Sequence, residues 1–139
     1  MVKESLLKLP NTNEYKIVST SIASIYNKPT FSSELISQAL IWERLRVIEI
    51  KDNWYKIKLR DEYIGWVHNF YIIDSTIYDK NSFLKKYENW YWVKDKFLSL
   101  SLNNMVIKII SYGSLIPCFI DNNIFYTLLP NNQKVEVNK

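Results

Sequence analysis

The sequence is poor in the residues that build reactive and metal-binding sites. It contains one cysteine, Cys118, and one histidine, His68, in 139 residues. A lone cysteine forms no internal disulfide, so the fold does not depend on an oxidising compartment. One His and one Cys leave only carboxylates as further metal ligands, and no acidic run has the spacing of a calcium loop. We therefore expect neither a metal nor another cofactor.

Glycine and proline are also scarce. The chain has two glycines, Gly65 and Gly113, and four prolines. This excludes collagen-like sequences and Gly-rich loops that hold phosphate groups. With so few glycines, each is predicted to occupy a position that needs a positive φ or a close approach of the backbone.

Long apolar runs and a strong net charge are both absent. No stretch approaches the roughly 18 apolar residues that span a membrane, and the first ten residues lack the apolar core of a secretory signal. We expect a cytoplasmic protein without a membrane partner. The formal charge of +4 is spread over both halves, and the basic stripe of Lys56, Lys58 and Arg60 is typical of the solvated face of a strand. We therefore expect no nucleic-acid partner.

Short β-like segments dominate what is present. They recur every eight to ten residues between Asn-, Asp- and Gly-containing turn signals, and no segment has the pattern of a long helix. This predicts an all-β protein of small barrels or sandwiches. Residues 31–41 are the exception, interpreted as a loop with one helical turn. We predict two units, 9–75 and 88–138, joined by a linker at 76–87, and expect such small units to pack on each other.

Three motifs in order resemble a known domain. They are residues 33–40 (Ser-Glu-Leu-Ile-Ser-Gln-Ala-Leu), 53–57 (Asn-Trp-Tyr-Lys-Ile) and 61–67 (Asp-Glu-Tyr-Ile-Gly-Trp-Val). Together they are similar to the bacterial SH3-like domain (SH3b) at the N-terminus of NlpC-type cysteine endopeptidases, which cleave murein peptides. The resemblance covers residues 9–74. One departure is Trp42, which stands where the family usually has glycine.

The second half resembles the second SH3-like domain of some of these enzymes. The likeness is carried by residues 112–117 (Tyr-Gly-Ser-Leu-Ile-Pro) and 128–131 (Leu-Leu-Pro-Asn). The resemblance therefore implies an all-β fold of two tandem SH3-like barrels.

The chemistry of the family is missing from this sequence. The peptidase domain that follows the SH3-like domains presents its cysteine in an Asp-Cys-Ser-Gly motif with a distant histidine, and this chain contains no such motif. Cys118 lies in an apolar strand-like segment, as buried thiols do, and His68 is expected to make a loop hydrogen bond. The resemblance implies a non-catalytic chain whose partner is a cysteine peptidase domain, in cis or in trans, that hydrolyses γ-D-glutamyl–diamino acid bonds.

The resemblance also implies a binding site for murein peptides with a free N-terminal L-Ala. Glu34 would bind the ammonium group and Tyr63 would close the pocket, with Trp42 and Trp66 as further ligand-binding residues. Two structural roles are the alternatives. Glu34 could cap a short helical turn after Ser32 and Ser33, and Tyr63 could be a packed aromatic at a strand end.

Two aromatic groups allow other interpretations. Tyr26, Trp42, Trp54 and Trp66 could line a groove for an extended or proline-rich peptide, which would make the chain a stand-alone adaptor. The run 90–92 (Trp-Tyr-Trp) is either a stacking platform for a sugar or peptide, or a strand whose two tryptophans pack at the contact between the units.

Overall fold

The structure, a computed structural model, describes residues 14–75 and 89–138. These residues form thirteen β-strands and one 3₁₀ turn, with no α-helix among them. The all-β prediction is confirmed, and the predicted linker at 76–87 lies outside the described residues. The strands are β1 (Tyr15–Val18), β2 (Ile22–Tyr26), β3 (Leu35–Leu40), β4 (Arg44–Lys51), β5 (Trp54–Lys58), β6 (Ile64–His68), β7 (Ile72–Asp74), β8 (Trp90–Trp92), β9 (Phe97–Leu102), β10 (Met105–Ser111), β11 (Leu115–Asp121), β12 (Ile124–Leu128) and β13 (Lys134–Asn138).

The first seven strands form one antiparallel sheet, which we call the first barrel. Their order is β3-β2-β6-β5-β4-β1-β7, and the 3₁₀ turn (Asn69–Tyr71) joins β6 to β7. Ile57 and Leu59 are buried while Lys56 and Lys58 point outward on the other face. This is the predicted alternation, because successive side chains of a strand face opposite sides of the sheet.

The expectation for residues 31–41 is wrong for most of that segment. Leu35–Leu40 is a strand, β3, that pairs along β2 with Ala39 opposite Ala23. Both alanines are fully buried. The segment lacks a clear two-residue alternation of apolar and polar side chains, so the pairing with β2 decides its conformation.

The last six strands form a second antiparallel sheet, the second barrel, in the order β10-β9-β13-β12-β11-β8. The turns of its hairpins, between β9 and β10 and between β11 and β12, consist of Asn-Asn pairs. Asn103 and Asn104 have φ of 52° and 66°, and Asn122 and Asn123 have φ of 50° and 66°. Two consecutive positive φ values are the signature of tight type I′ hairpin turns, which asparagine tolerates.

The two glycines occupy the kinds of position that were predicted. Gly113 has φ of +88°, in the left-handed region that glycine adopts without strain. At Gly65 a Cβ atom would come within 2.6 Å of Ile25 Cγ2 and 2.7 Å of Ile36 Cδ1. Gly65 therefore allows β2, β3 and β6 to pack closely.

The two barrels share one apolar core region. Ile17, Ile41 and Trp42 of the first barrel pack in the same buried cluster as Leu100 and Ile116 of the second. The expectation that the units pack on each other is confirmed. Hydrogen bonds between described residues also cross the contact. They run from Trp42 Nε1 to the Leu128 carbonyl, at 2.9 Å, and from Lys108 Nζ to the Ser19 carbonyl, at 3.0 Å.

Candidate ligand-binding site

Glu34 immediately precedes β3 and does not cap a helical turn. Its carbonyl accepts a hydrogen bond of 2.8 Å from the Asn27 amide, which closes the loop between β2 and β3. The side chain is exposed. The capping alternative is therefore wrong, because the residues that follow Glu34 are paired as a strand.

Tyr63 lies in the turn that leads into β6. Its carbonyl accepts from the Leu59 amide at 2.8 Å, and its own amide lies 3.4 Å from Asp61 Oδ1. The ring is 61% exposed, so Tyr63 is not a packed strand-end aromatic. Within the described residues, neither the Tyr63 hydroxyl nor the Glu34 carboxylate makes a hydrogen bond, so both groups are available to a ligand.

The topology puts Glu34 and Tyr63 at the same end of the sheet. β3 and β6 flank β2, and Tyr26 of β2 pairs with Leu35 on one side and with Trp66 on the other. Both flanking strands run antiparallel to β2, so their N-terminal ends lie at the same end of the sheet. Strands two apart are separated by about 10 Å, and Tyr63 lies three positions before Trp66 where Glu34 lies one position before Leu35.

The two predicted tryptophans have different surroundings. Trp66 is 8% exposed, and Trp42 is 5% exposed. The Trp42 indole donates to Leu128 and meets Trp90 edge-on at 5.7 Å between ring centroids. Trp42 is therefore engaged with the second barrel. A role in ligand binding for Trp42 and Trp66 stays a prediction.

An aromatic cluster lies on the first barrel, with Trp54 and His68 paired at the end of β5 and β6 that is opposite Tyr63. Trp54 contacts Tyr26, Phe31 and His68 at centroid distances of 5.7, 4.8 and 5.1 Å. His68 Nδ1 accepts from the Phe70 amide at 3.0 Å, which confirms its predicted loop hydrogen bond. The sequence did not predict that Phe31 and His68 belong to this cluster, because only the fold brings a loop residue next to β5 and β6.

A second recess, which we call the inter-barrel cleft, opens between the two barrels with a volume of about 960 Å³. One wall belongs to the first barrel and carries basic side chains, among them Arg46 and Arg60. The other wall belongs to the second barrel and carries Trp90 and Trp92. Trp90 packs at the contact between barrels, as predicted, whereas Trp92 remains 62% exposed.

Glu43 lies in this cleft as a partly buried carboxyl. Its Oε1 accepts a 3.0 Å hydrogen bond from the Leu40 amide. Burial raises the pKa of Glu43 above its ordinary value, while the Leu40 hydrogen bond and the Arg60 charge oppose that rise. Glu43 therefore braces the turn between β3 and β4 with a carboxyl that ionises less readily than an exposed one.

Nucleophilic chemistry has no support in the described part of the chain. Burial raises the pKa of Cys118 to about 12, so the thiolate form is unavailable near neutral pH. Cys118 is buried in β11, as expected for an apolar strand. Residues 14–75 and 89–138 contain no cluster of three potential metal ligands, and no helix within them is long and apolar enough to cross a bilayer.

The first barrel matches a known family. Residues 25–69 fit the family model described as "Bacterial dipeptidyl-peptidase Sh3 domain". The first barrel is of the bacterial SH3 type. All three sequence motifs that carried the resemblance lie within this segment, so the resemblance is confirmed for the first barrel.

Two solved structures with a similar fold are NlpC/P60 proteins. One is an NlpC/P60 family protein from Bacillus cereus ATCC 10987, with 18% identity and a TM-score of 0.68 over 90% of this chain and 54% of that one. Another is an NlpC/P60 endopeptidase from Photobacterium damselae subsp. piscicida, with 18% identity and a TM-score of 0.60 over 89% of this chain and 31% of that one. The chain thus spans about half and about a third of their lengths. No curated protein matches the chain in sequence.

Proposed function

We propose that the chain is a non-catalytic, murein-peptide recognition module of an NlpC-type cysteine endopeptidase, whose peptidase domain acts with it in cis or in trans. The bacterial SH3 match and the shared fold with two NlpC/P60 proteins support this assignment. In the parent reaction, the peptidase domain would hydrolyse the γ-D-glutamyl–diamino acid bond, and this chain would select the peptide.

One observation carries the proposal. Glu34 and Tyr63 lie at the same end of the first barrel, and their polar groups make no hydrogen bond with the described residues. In the proposed complex the Glu34 carboxylate accepts hydrogen bonds from the ammonium of a free N-terminal L-Ala. Such charge-assisted bonds are stronger than neutral ones. The Tyr63 ring covers the ligand and excludes water, which strengthens the electrostatic contact.

The test is a calorimetric or NMR titration with the tripeptide L-Ala-γ-D-Glu-diaminopimelate. We expect Glu34→Gln to weaken binding by about tenfold, because it removes the charge opposite the ammonium. Acetylation of the peptide amine should have the same effect on the wild-type protein. Glu49→Gln is the matched control, since Glu49 is a partly exposed carboxylate on β4 that sits 4.0 Å from Lys56.

Two results would contradict the proposal. Equal affinities of the wild type and Glu34→Gln would remove Glu34 from the site. Equal affinities for the free and the acetylated peptide would show that no ammonium is recognised.

The aromatic cluster supports a second candidate, a stand-alone adaptor for an extended peptide. Phe31, in the loop before β3, is 55% exposed and packs on Trp54, a surface of the kind that binds proline-rich segments. Under this alternative Trp54→Ala would abolish binding of a proline-rich peptide, and Glu34→Gln would leave it unchanged. Of the predicted groove, Trp42 lies against the second barrel and Trp66 is buried, so the exposed surface consists of Tyr26, Phe31 and Trp54.

A further inference from the structure

We propose that the inter-barrel cleft is a second binding site, which takes a saccharide carrying one carboxylate. Neither Glu34 nor Tyr63 lines the cleft, whereas Asp61 and Glu62, which precede Tyr63, do. Three features of the cleft support this inference: a cationic wall, an aromatic wall and a nearly balanced charge.

The cationic wall holds like charges that the described residues only partly neutralise. Arg46 of β4 and Lys58 of β5 are directly opposite each other in the sheet, an arrangement that ordinarily destabilises a strand pair. Lys58 is paired with Glu62. Arg46 makes no ion pair or hydrogen bond with the described residues, and Arg60 acts electrostatically on the Glu43 carboxyl. An anion bound between the two arginines would relieve the repulsion at Arg46 and receive charge-assisted hydrogen bonds.

The aromatic wall belongs to the second barrel. Trp92 is largely exposed in the cleft, while Trp90 is held edge-on against Trp42. A hexose ring presents C–H groups on one face, and an exposed indole is an apolar platform for such a face. Tyr15, also in the lining, is already covered by Arg44 at 4.7 Å from its ring centroid, which leaves Trp92 as the open platform.

The net charge of the cleft lining favours an anion with a single negative charge. Four basic side chains line the cleft (Arg44, Arg46, Lys58 and Arg60) together with three carboxylates (Glu43, Asp61 and Glu62), which leaves one excess positive charge. A ligand with a single carboxylate matches this excess. Its hydroxyl groups can donate to the lining carboxylates and to Gln38. A polyphosphate would bring several charges close to those carboxylates and be repelled. The cleft volume is within the range of small-molecule sites.

The test is a titration of the complete chain with N-acetylmuramic acid, followed by the NMR signals of the tryptophan indole groups. N-Acetylglucosamine is the matched neutral sugar, since it lacks only the lactyl carboxylate. We expect N-acetylmuramic acid to bind with Kd of about 1 mM or below. The neutral sugar should bind at least about tenfold more weakly, since it lacks the charge-assisted contact.

Each wall is tested by one variant and one matched control. Arg46→Gln and Trp92→Ala should each weaken binding of N-acetylmuramic acid by about tenfold. The controls are Lys56→Gln, on the same strand as Lys58 but outside the cleft lining, and Phe97→Ala, whose ring is as exposed as that of Trp92. Both controls should leave the affinity unchanged.

Three outcomes would overturn the proposal. They are the absence of any indole shift up to about 10 mM ligand, equal affinity for the neutral sugar, and tighter binding of adenosine monophosphate, which would make the cleft a nucleotide site. The choice of probe rests on the proposed function, but different variants test the two proposals, so one can fail without the other. Glu34→Gln should leave the sugar titration unchanged, and Arg46→Gln should leave the tripeptide titration unchanged.

Discussion

At the scale of single residues, Trp42 occupies a backbone conformation that ordinarily favours glycine. Its φ of 73° is in the left-handed region, which costs a non-glycine residue about 1–2 kcal/mol. The indole ring is almost fully buried, which contributes about 1.5–3 kcal/mol, and its N–H bonds to Leu128. The stabilisation from burying the Trp42 ring and bonding its N–H exceeds the cost of the left-handed backbone conformation. This explains how a tryptophan can stand where similar domains have glycine.

Glu43 provides a prediction at the same scale. Because burial raises its pKa above 4.5, the folded state binds the proton more tightly than the unfolded state does. The free energy of unfolding should therefore lose a contribution as pH rises through the raised pKa. Glu43→Gln keeps the acceptor for the Leu40 amide and removes the charge. The free energy of unfolding of this variant should therefore not show this decrease as pH rises.

The measurement is urea denaturation of the wild type and Glu43→Gln between about pH 4 and about pH 7. Glu49→Gln serves as the control, with a pH dependence like that of the wild type. Parallel curves for the wild type and Glu43→Gln would show that Glu43 ionises equally well in both states.

At the scale of elements, the tight hairpins of the second barrel depend on residues that tolerate positive φ. The Asn-Asn pairs were visible in the sequence as turn signals, and the structure adds that all four asparagines have positive φ. β3 shows the opposite case. Its sequence, Leu-Ile-Ser-Gln-Ala-Leu, does not predict a strand, and only the partner strand β2 supplies the reason for its conformation.

The hairpin between β9 and β10 can be tested at Asn104. Asn104→Ala should destabilise the protein by about 1 kcal/mol, since alanine lacks the side-chain hydrogen bonding that eases a positive φ. Asn104→Gly should be neutral or stabilising. Asn53→Ala is the matched control, because Asn53 is an exposed turn asparagine outside the positive-φ set. Equal losses at Asn104 and Asn53, measured by thermal denaturation, would contradict this account.

At the scale of the whole molecule, the core cluster that contains Trp42 joins the two barrels. Small barrels bury little apolar area alone, so each gains stability from the other. Lys108 adds a polar link to the Ser19 carbonyl, and burial lowers the pKa of its amine. The relative position of the barrels, and therefore the inter-barrel cleft, depends on this contact.

This coupling predicts a single cooperative unfolding transition for the wild type. Trp42→Ala removes the ring and its hydrogen bond at the contact, so we expect a loss of about 3 kcal/mol and a transition that broadens or separates into two. Trp54→Ala, a tryptophan in the first barrel outside the contact, should keep one transition. Calorimetry distinguishes these results, and an unchanged single transition in Trp42→Ala would contradict the shared core.

The two sites differ in how far sequence could predict them. Glu34 and Tyr63 were predicted from motifs, and the topology adds that they lie at the same end of the sheet; their role, the cytoplasmic location and the murein peptide partner stay predictions. The inter-barrel cleft could not be predicted, because its walls come from segments far apart in the sequence, such as those that contain Arg46 and Trp92. No local pattern records which face of one barrel meets the other.

The sequence by itself determined the strands with clear alternation, the turns and the positions of both glycines, since these depend on the preferences of neighbouring residues. It also determined the bacterial SH3 resemblance, which is carried by short motifs. Only the tertiary structure decided that β3 is a strand, that Trp42 bonds to Leu128, and that cations and tryptophans line one cleft. These features depend on contacts between distant segments, which form only when the two sheets pack.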